Sequence, residues 1–445
     1  MSVTGARAAA GQALPPRALP RLIPPDGPLA LAEHLARYGP VPFSDAAARP
    51  GGATLISAVE QAGLTGRGGA GFPAWRKMRA VAQAGRRAGP LRSQVGTVVI
   101  ANGAESEPAS MKDRMLLARA PHLVLDGVAL AAEAVGATRA YLCLHESNDG
   151  VDRILTGAIS SRDRAGLNRL PIQVVMIGGG YVASQETALV SFINGGAGKP
   201  AFVPPRPSDK GAHGRPTLVQ NVETLAHLSL IARYGADWFG AVGGGAGSAL
   251  VTVGGSVHRP GVYEIALGTP LGDLLQQAGG PTEAPEAILA GGYFGSWIRY
   301  QDALGVPVSG PGLRAAGASL GPGILVLLPA SACGLAETAR VIGYLAGQSA
   351  GQCGPCFNGL PALADALRRL AFGGADRETI GWASQLLTLV ARRGACHLPD
   401  GTAALAASTL RVFADELRRH AAGGPCSRMR RPGVLPVPDF TDGPG

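Results

Sequence analysis

Thr97-Val98-Val99-Ile100-Ala101-Asn102-Gly103-Ala104-Glu105-Ser106-Glu107 opens with five apolar or β-branched residues and ends in a polar cluster. Short apolar runs bounded in this way read as buried strands. Downstream, His122 to Val135 carries a helical pattern, Ala140 to Leu144 is again strand-like, and Gln173 to Ile177 makes a third strand. Strands separated by helix-length crossovers predict a parallel sheet, hence an α/β class. Such a sheet places ligand sites in the loops beyond the carboxyl ends of its strands. Two polar clusters fall in these loops, Asn102 to Glu107 and Gly178 to Glu186.

Upstream of the first strand lies the densest local signal, Gly66-Arg67-Gly68-Gly69-Ala70-Gly71-Phe72 followed by Lys77. Residues without side chains let backbone N–H groups converge on a phosphate, and Lys supplies charge. The loop could hold a mononucleotide, or it could be an ordinary glycine-rich turn. Residues 28 to 62 contain a helical stretch and a break at Pro50 to Gly52.

Beyond Ala249 the texture changes to short strands with Gly and Pro turns, LVTVGGSVHRPGVYEI, and then to the helix-like LGDLLQQAGG. After Ala330 it turns helical. Leu360, Leu363, Leu367 and Leu370 share one apolar stripe, and Leu405, Val412, Phe413 and Leu417 another. With segments near 334–348 and 378–392, this predicts a four-helix bundle.

A chain of 445 residues suggests about three domains. With 66 Gly and 35 Pro it is a loop-rich globular protein, not a coiled coil. The formal charge of +9 does not imply nucleic acid, because the Arg residues are scattered and aromatic residues make up only 5%. Acidic electron-transfer partners are the better use for it, and Arg428, Arg430 and Arg431 read as a solvated or partner-facing tail. No apolar run approaches the roughly 18 residues of a spanning helix, and Met1 to Pro25 lacks an uninterrupted apolar core, so it reads as a disordered lead. The expectation is a cytoplasmic protein, peripheral to a membrane complex through its partners. Six Cys in a reducing compartment then point to metal binding or burial, not to disulfides.

The glycine loop is followed in order by Asn102-Gly103-Ala104-Glu105-Ser106-Glu107-Pro108, Lys112-Asp113-Arg114, Tyr181, Glu186-Thr187-Ala188-Leu189 and Asn221-Val222-Glu223-Thr224-Leu225. Over roughly residues 50 to 420 this series resembles the family of FMN-binding, NADH-oxidising subunits of respiratory complex I and of related NAD-linked hydrogenases and formate dehydrogenases. The resemblance implies a Rossmann-like FMN domain over 28–240, a β-grasp, soluble-ligand-binding module over 245–328 and a helical iron–sulfur domain over 331–422. A disordered lead (1–27) and tail (423–445) would flank them. By the same resemblance Gly66, Arg67, Gly68, Gly69 and Lys77 would hold the FMN phosphate, with Asn221 and Thr224 closing that end. Asn102 and Glu105 would line the isoalloxazine and ribityl side, and Glu107, Tyr181 and Glu186 would face the flavin or the nicotinamide. Carboxylates beside a flavin orient ribose hydroxyls and oppose negative charge on the ring; the alternative is that they cap helices.

Several positions depart from the family on its nicotinamide side. Ala104 and Gln185 replace carboxylates, Ser184 replaces a Gly, Met78-Arg79-Ala80 lacks an aromatic residue, and Val203-Pro204-Pro205-Arg206 replaces Lys-Pro-Pro-Phe. Each lost stacking ring is worth on the order of 1 kcal/mol, so weakened NAD(H) binding is expected, unless Phe202 substitutes for a ring and Arg206 pairs with a phosphate. Cys353-Gly354-Pro355-Cys356 and the later Cys396 resemble the family's [4Fe–4S] ligands, with the first of four cysteines replaced by Ala350. Three thiolates leave one iron without a terminal ligand. Water, a partner, His397 or Cys426 could supply it, a three-iron cluster could form, or the site could be vestigial. Cys143 and Cys333 read as buried small hydrophobes.

The function so implied is a flavoprotein electron-transfer subunit, an NAD(P)H-linked oxidoreductase that accepts electrons on FMN and passes them to an iron–sulfur centre. A ferredoxin-like or iron–sulfur protein would be its partner, within a larger oxidoreductase complex. The alternatives are an FMN protein with another donor and a vestigial cluster site, and a noncatalytic ligand-binding or assembly subunit.

Overall fold

The computed structural model describes residues 18–25, 27–43, 54–87, 96–147 and 150–438. Four parallel strands, β1 (Thr97–Gly103), β2 (Ala137–His145), β3 (Ile172–Ile177) and β4 (Thr217–Asn221), form a sheet in the order β3-β2-β1-β4. The three strands read from the sequence are present. The fourth, a five-residue TLVQN segment, lies beside β1 with Asn102 opposite Asn221. That pairing sets two expected site residues side by side at the carboxyl edge.

Helices Pro121–Val135 and Val222–Gly240 pack under this sheet, and they touch at Gly127, where a Cβ would fall 2.0 Å from the Leu225 carbonyl oxygen. Close beside this crossing, Asp126 is fully buried among three cationic or ionisable groups. His34 Nε2 lies 2.7 Å, Arg233 2.6 Å and Arg162 2.7 Å from its oxygens. Burial acts against the Asp126 charge, but His34, Arg233 and Arg162 outweigh it and hold the carboxyl well below its ordinary range.

A second, five-stranded mixed sheet follows, β5 (Ser248–Gly255), β6 (Gly261–Ala266), β7 (Pro285–Ala290), β8 (Ser296–Arg299) and β9 (Ile324–Pro329), in the order β6-β5-β9-β7-β8. Helix Leu271–Gln277 packs on it, as expected for the β-grasp pattern. The carboxyl-terminal region is helical: Gly334–Gly347, Leu360–Phe372, Arg377–Val390, Leu398–Val412 and Ala414–Gly423. The last expected stripe is divided at Phe413, which leaves helical geometry (ψ 28°) and buries its ring against Trp297, 5.5 Å away. The bundle therefore has a fifth, short helix.

Both flanks differ from the expected disorder where they are described. The amides of Arg21 and Leu22 donate to Glu264 Oε2, each at 2.7 Å, and the Arg21 guanidinium lies 4.0 Å over Trp238. At the other end, the amides of Val434 and Leu435 donate to Glu337 Oε2 at 3.0 and 2.9 Å, and Leu435 is buried. Arg428 pairs with Glu286 and Glu416, and Arg431 with Glu283, so these cations are used within the chain. Composition read both segments as solvated because their partners lie some 240 and 100 positions away. Residues 1–17 and 439–445 lie outside the described residues. Among the described residues no single helix is long and apolar enough to cross a membrane.

Candidate functional site

A cavity of about 700 Å³ opens at the carboxyl ends of β1 and β4. Gly66, Gly68, Gly69 and Lys77 line it, together with Asn102, Glu105, Glu107, Tyr181, Glu186 and Asn221. The loop's own geometry explains the glycines. The Gly66 amide is satisfied by the Phe72 carbonyl at 2.9 Å, a Cβ on Gly68 would come within 3.3 Å of Asn221 Cβ, and Gly69 has φ +114°. The backbone can thus lie open toward the cavity. Lys77 Nζ is paired with the Glu186 carboxylate across it.

Arg67 and Thr224 are placed differently from expectation. The Arg67 guanidinium turns into the core, donating to Thr65 Oγ1 at 2.9 Å and the Ser248 carbonyl at 3.1 Å, with Glu223 3.9 Å away. Thr224 is fully buried, and its Oγ1 accepts the Arg67 amide at 2.9 Å. Neither side chain lines the cavity; together they clamp the glycine loop from behind. Asn221 does both jobs, capping helix Val222–Gly240 by accepting the Glu223 amide and donating to Asp113 at 2.6 Å.

Beneath this clamp lies an ion network that sequence reading passed over. Buried Lys112 Nζ lies 2.7 Å from Asp113 and 2.9 Å from Glu223, whose other oxygen accepts the Leu250 amide of β5. Burial opposes the Glu223 charge, but Lys112, His227 and Arg67 prevail and hold the carboxyl near 2. For Asp113 burial wins and raises its pKa. The sequence signal was the Lys112-Asp113 pair beside an apolar helix, since a buried charge needs a partner.

The carboxylates divide by role. Glu105 accepts the amides of Asp113 and Arg114, each at 3.2 Å, so it caps helix Lys112–Arg119 while lining the cavity. Glu107 is buried, accepts the Tyr293 amide at 2.7 Å and takes the Tyr181 hydroxyl proton in a hydrogen bond. Burial raises its pKa to about 7, against those two donors. Tyr181 stacks on Tyr293 with centroids 6.3 Å apart and meets Phe294 at 4.9 Å. These rings come from the second sheet's loop, a contribution invisible in sequence order. Gln185, where the family has a carboxylate, stays at the cavity wall, with its side-chain oxygen capping helix Glu186–Ile193 by accepting the Thr187 and Ala188 amides. Phe202 is 68% exposed, and neither it nor Arg206 is among the cavity's lining residues, so the expected substitutes do not reach the cavity.

Two of the three expected thiols are in contact, and the third lies near enough to feel their charge. Cys353 and Cys356 sulfurs are 3.5 Å apart, and the Cys396 thiol is pushed up by burial and by those two sulfurs. Burial opposes the Cys356 thiolate, but backbone groups of Gln352, Cys353 and Gly351 and the Cys353 thiol hold its pKa below the ordinary value. Ala350 is buried and offers no ligand. Cys396 and His397 also line the cavity, whereas Cys426 is engaged with Glu416 and His420 instead. A glycine cradle with a cation fits a flavin phosphate, and three soft sulfur donors fit an iron–sulfur cluster with one iron lacking a Cys ligand.

Residues 59–230 match the Nuo51 FMN-binding domain, 250–292 the SLBB domain, and 330–420 the NADH-ubiquinone oxidoreductase-F iron-sulfur binding region. The F subunit of the NADH-quinone oxidoreductase of Mycobacterium tuberculosis is 33% identical over 402 residues, 86% of this chain and 87% of that one. The chain belongs to the family of NADH-quinone oxidoreductase F subunits. Another F subunit, from Streptomyces coelicolor, is 31% identical over 84% of each chain. Among solved structures, the NAD+-reducing [NiFe]-hydrogenase in the H2-reduced state superposes with a TM-score of 0.74 at 29% identity, over 84% of this chain. The match spans 63% of that hydrogenase chain's length. The parallel-sheet, β-grasp and helical parts expected of an F-subunit relative are therefore all present.

Proposed function

We propose that this relative of the F subunits is a flavoprotein that takes electrons onto FMN held in the 700 Å³ cavity and passes them to an iron–sulfur centre at Cys353, Cys356 and Cys396. The observation that carries the reading is that Cys396 lines the same cavity as the glycine loop. Bound FMN accepts an electron pair and releases it singly, the chemistry an iron–sulfur relay needs. Gly66, Gly68, Gly69 and Lys77 would hold its phosphate, with Arg67 and Thr224 fixing the loop's shape. Asn102 and Glu105 would face the ring and ribityl chain and Asn221 would close the phosphate end beside Gly68, all three being already oriented by their own hydrogen bonds. Glu107, with its pKa near 7 and Tyr181 on one oxygen, is suited to hold or release a proton beside the reacting ring. Glu186 would exchange Lys77 for a donor hydroxyl.

One observation favours a donor other than NADH: the cavity wall carries the uncharged Gln185, its oxygen already engaged in a helix cap, and neither Phe202 nor Arg206 is among the lining residues. The relatives' names place them as subunits of larger assemblies, which supports a peripheral, cytoplasmic subunit of an oxidoreductase complex with a ferredoxin-like or iron–sulfur partner. An anaerobic absorbance spectrum of protein from iron-supplemented cells tests the reading. Flavin bands with an iron–sulfur shoulder are expected. Bleaching by NADH identifies the donor, persistence of the bands moves the choice to another donor, and colourless folded protein overturns the proposal.

A further inference from the structure

Away from the flavin cavity and its thiols, Cys333, Glu416, His420 and Cys426 bring one potential ligand atom each to within 4.8 Å of one another. From these contacts we infer a structural metal site for a divalent ion of the zinc type, held by two thiolates, one imidazole and one carboxylate. Cys333 caps helix Gly334–Gly347, Glu416 and His420 are one turn apart on helix Ala414–Gly423, and Cys426 begins the terminal segment. The inference does not rest on the flavin reading.

The distances already suit the ion. Tetrahedral coordination with bonds of about 2.0–2.3 Å separates ligand atoms by about 3.3–3.8 Å. Glu416 Oε1 lies 3.8 Å from His420 Nε2 and 3.5 Å from Cys426 Sγ. The surrounding contacts prepare the donors as well. His420 Nδ1 bonds the Leu370 carbonyl at 3.0 Å, which places the proton on Nδ1 and leaves the Nε2 lone pair toward the cluster. In the metal-free arrangement that lone pair accepts the Cys426 amide at 3.1 Å, a bond the ion would displace. Cys333 Sγ accepts the Ala336 amide at 3.3 Å at the start of a fourteen-residue helix, which fixes the sulfur on the cluster's side. Glu416 Oε2 is buried and has no hydrogen-bond partner among the described residues, although its residue is only 2% exposed. Such an orphan needs a ligand or carries the full desolvation cost.

Charge bears on the site as well: two thiolates and Glu416 would carry three negative charges, the ion would offset two of them, and Arg428, 2.8 Å from Glu416 and shared with Glu286 at 2.9 Å, offsets part of the remainder. The ion would tie the first and last helices of the bundle to the terminal segment, whose Leu435 is buried and whose Pro436 carbonyl accepts the Tyr293 hydroxyl at 2.6 Å.

The test is elemental analysis and cobalt titration of the full-length protein purified anaerobically, with folding followed by circular dichroism. One zinc per chain, and with cobalt the thiolate charge-transfer bands of a tetrahedral site, are expected. Cys353→Ser with Cys356→Ser should keep both signals, Cys426→Ser should halve the charge-transfer band, and Glu416→Gln should weaken binding at least tenfold. EDTA should lower the melting temperature of the parent and not that of folded Cys333→Ser/Cys426→Ser. Three results overturn the site: no stoichiometric metal and no thiolate bands in folded protein, metal that follows Cys353 and Cys356 instead, or a Cys333–Cys426 disulfide in the anaerobic protein.

Discussion

At the residue scale the decisive groups are those whose neighbours change their chemistry. Glu107 is raised from 4.5 to about 7 by burial, so between those values the folded chain holds a proton that the unfolded chain has lost. Stability from this group is complete below about 4.5 and is lost as pH rises through about 7. Asp113, also raised by burial, acts in the same direction. Denaturant unfolding of the flavin-free protein at pH 5 and pH 8 should show the loss, and Glu107→Gln should reduce it by on the order of 2 kcal/mol. An unchanged slope would mean that Glu107 is hydrated and ordinary. Lys77 bears on binding instead. Removing one charged hydrogen-bond donor to a phosphate is worth roughly 1.5–3 kcal/mol. Equilibrium FMN titration should therefore find Lys77→Ala weakened about tenfold to a hundredfold, with an unaltered circular dichroism spectrum.

At the element scale, the crossing of helices Pro121–Val135 and Val222–Gly240 sets two rules of physical chemistry against each other. Alanine is a better helix residue than glycine by about 1 kcal/mol. At Gly127 its Cβ would meet the Leu225 carbonyl at 2.0 Å, and backbone cannot yield as a side-chain tip can. Overpacking wins, so Gly127→Ala should destabilise the chain at the upper end of roughly 1–3 kcal/mol, read by thermal or denaturant melting. A stabilised variant would place the helices farther apart. Beside this crossing, Asp126→Asn leaves Arg162 and Arg233 buried without their counter-charge. A loss of about 3–5 kcal/mol is expected in the same assay, since breaking a buried pair costs more than the pair itself contributes.

At the scale of the whole molecule, the two flanks act as straps that join the flavin sheet, the β-grasp sheet and the bundle. Arg21 and Leu22 reach Glu264, and Leu435 reaches Glu337. A free tail would tolerate Leu435→Ala without cost; a buried strap predicts about 2–5 kcal/mol of lost stability by denaturant unfolding. Much of the rest was legible in the chain. The apolar run Thr97 to Ala101 and its successors, separated by helix-length crossovers, pointed to the parallel sheet, and the polar clusters after the strands located the cavity, because strand polarity dictates where loops meet. The resemblance of Cys353, Cys356 and Cys396 to the family's cluster ligands announced a thiol site and marked Ala350 as its missing member. Local sequence determines such things because periodicity, turn chemistry and motif order act over a few residues. Only the tertiary structure decided that Arg67 and Thr224 brace the loop from behind, that Tyr293 donates to Glu107, and that Cys333 and Cys426 meet Glu416 and His420. Those choices rest on burial and on partners separated by tens to hundreds of residues, and no local pattern encodes which distant group will fill a desolvated site.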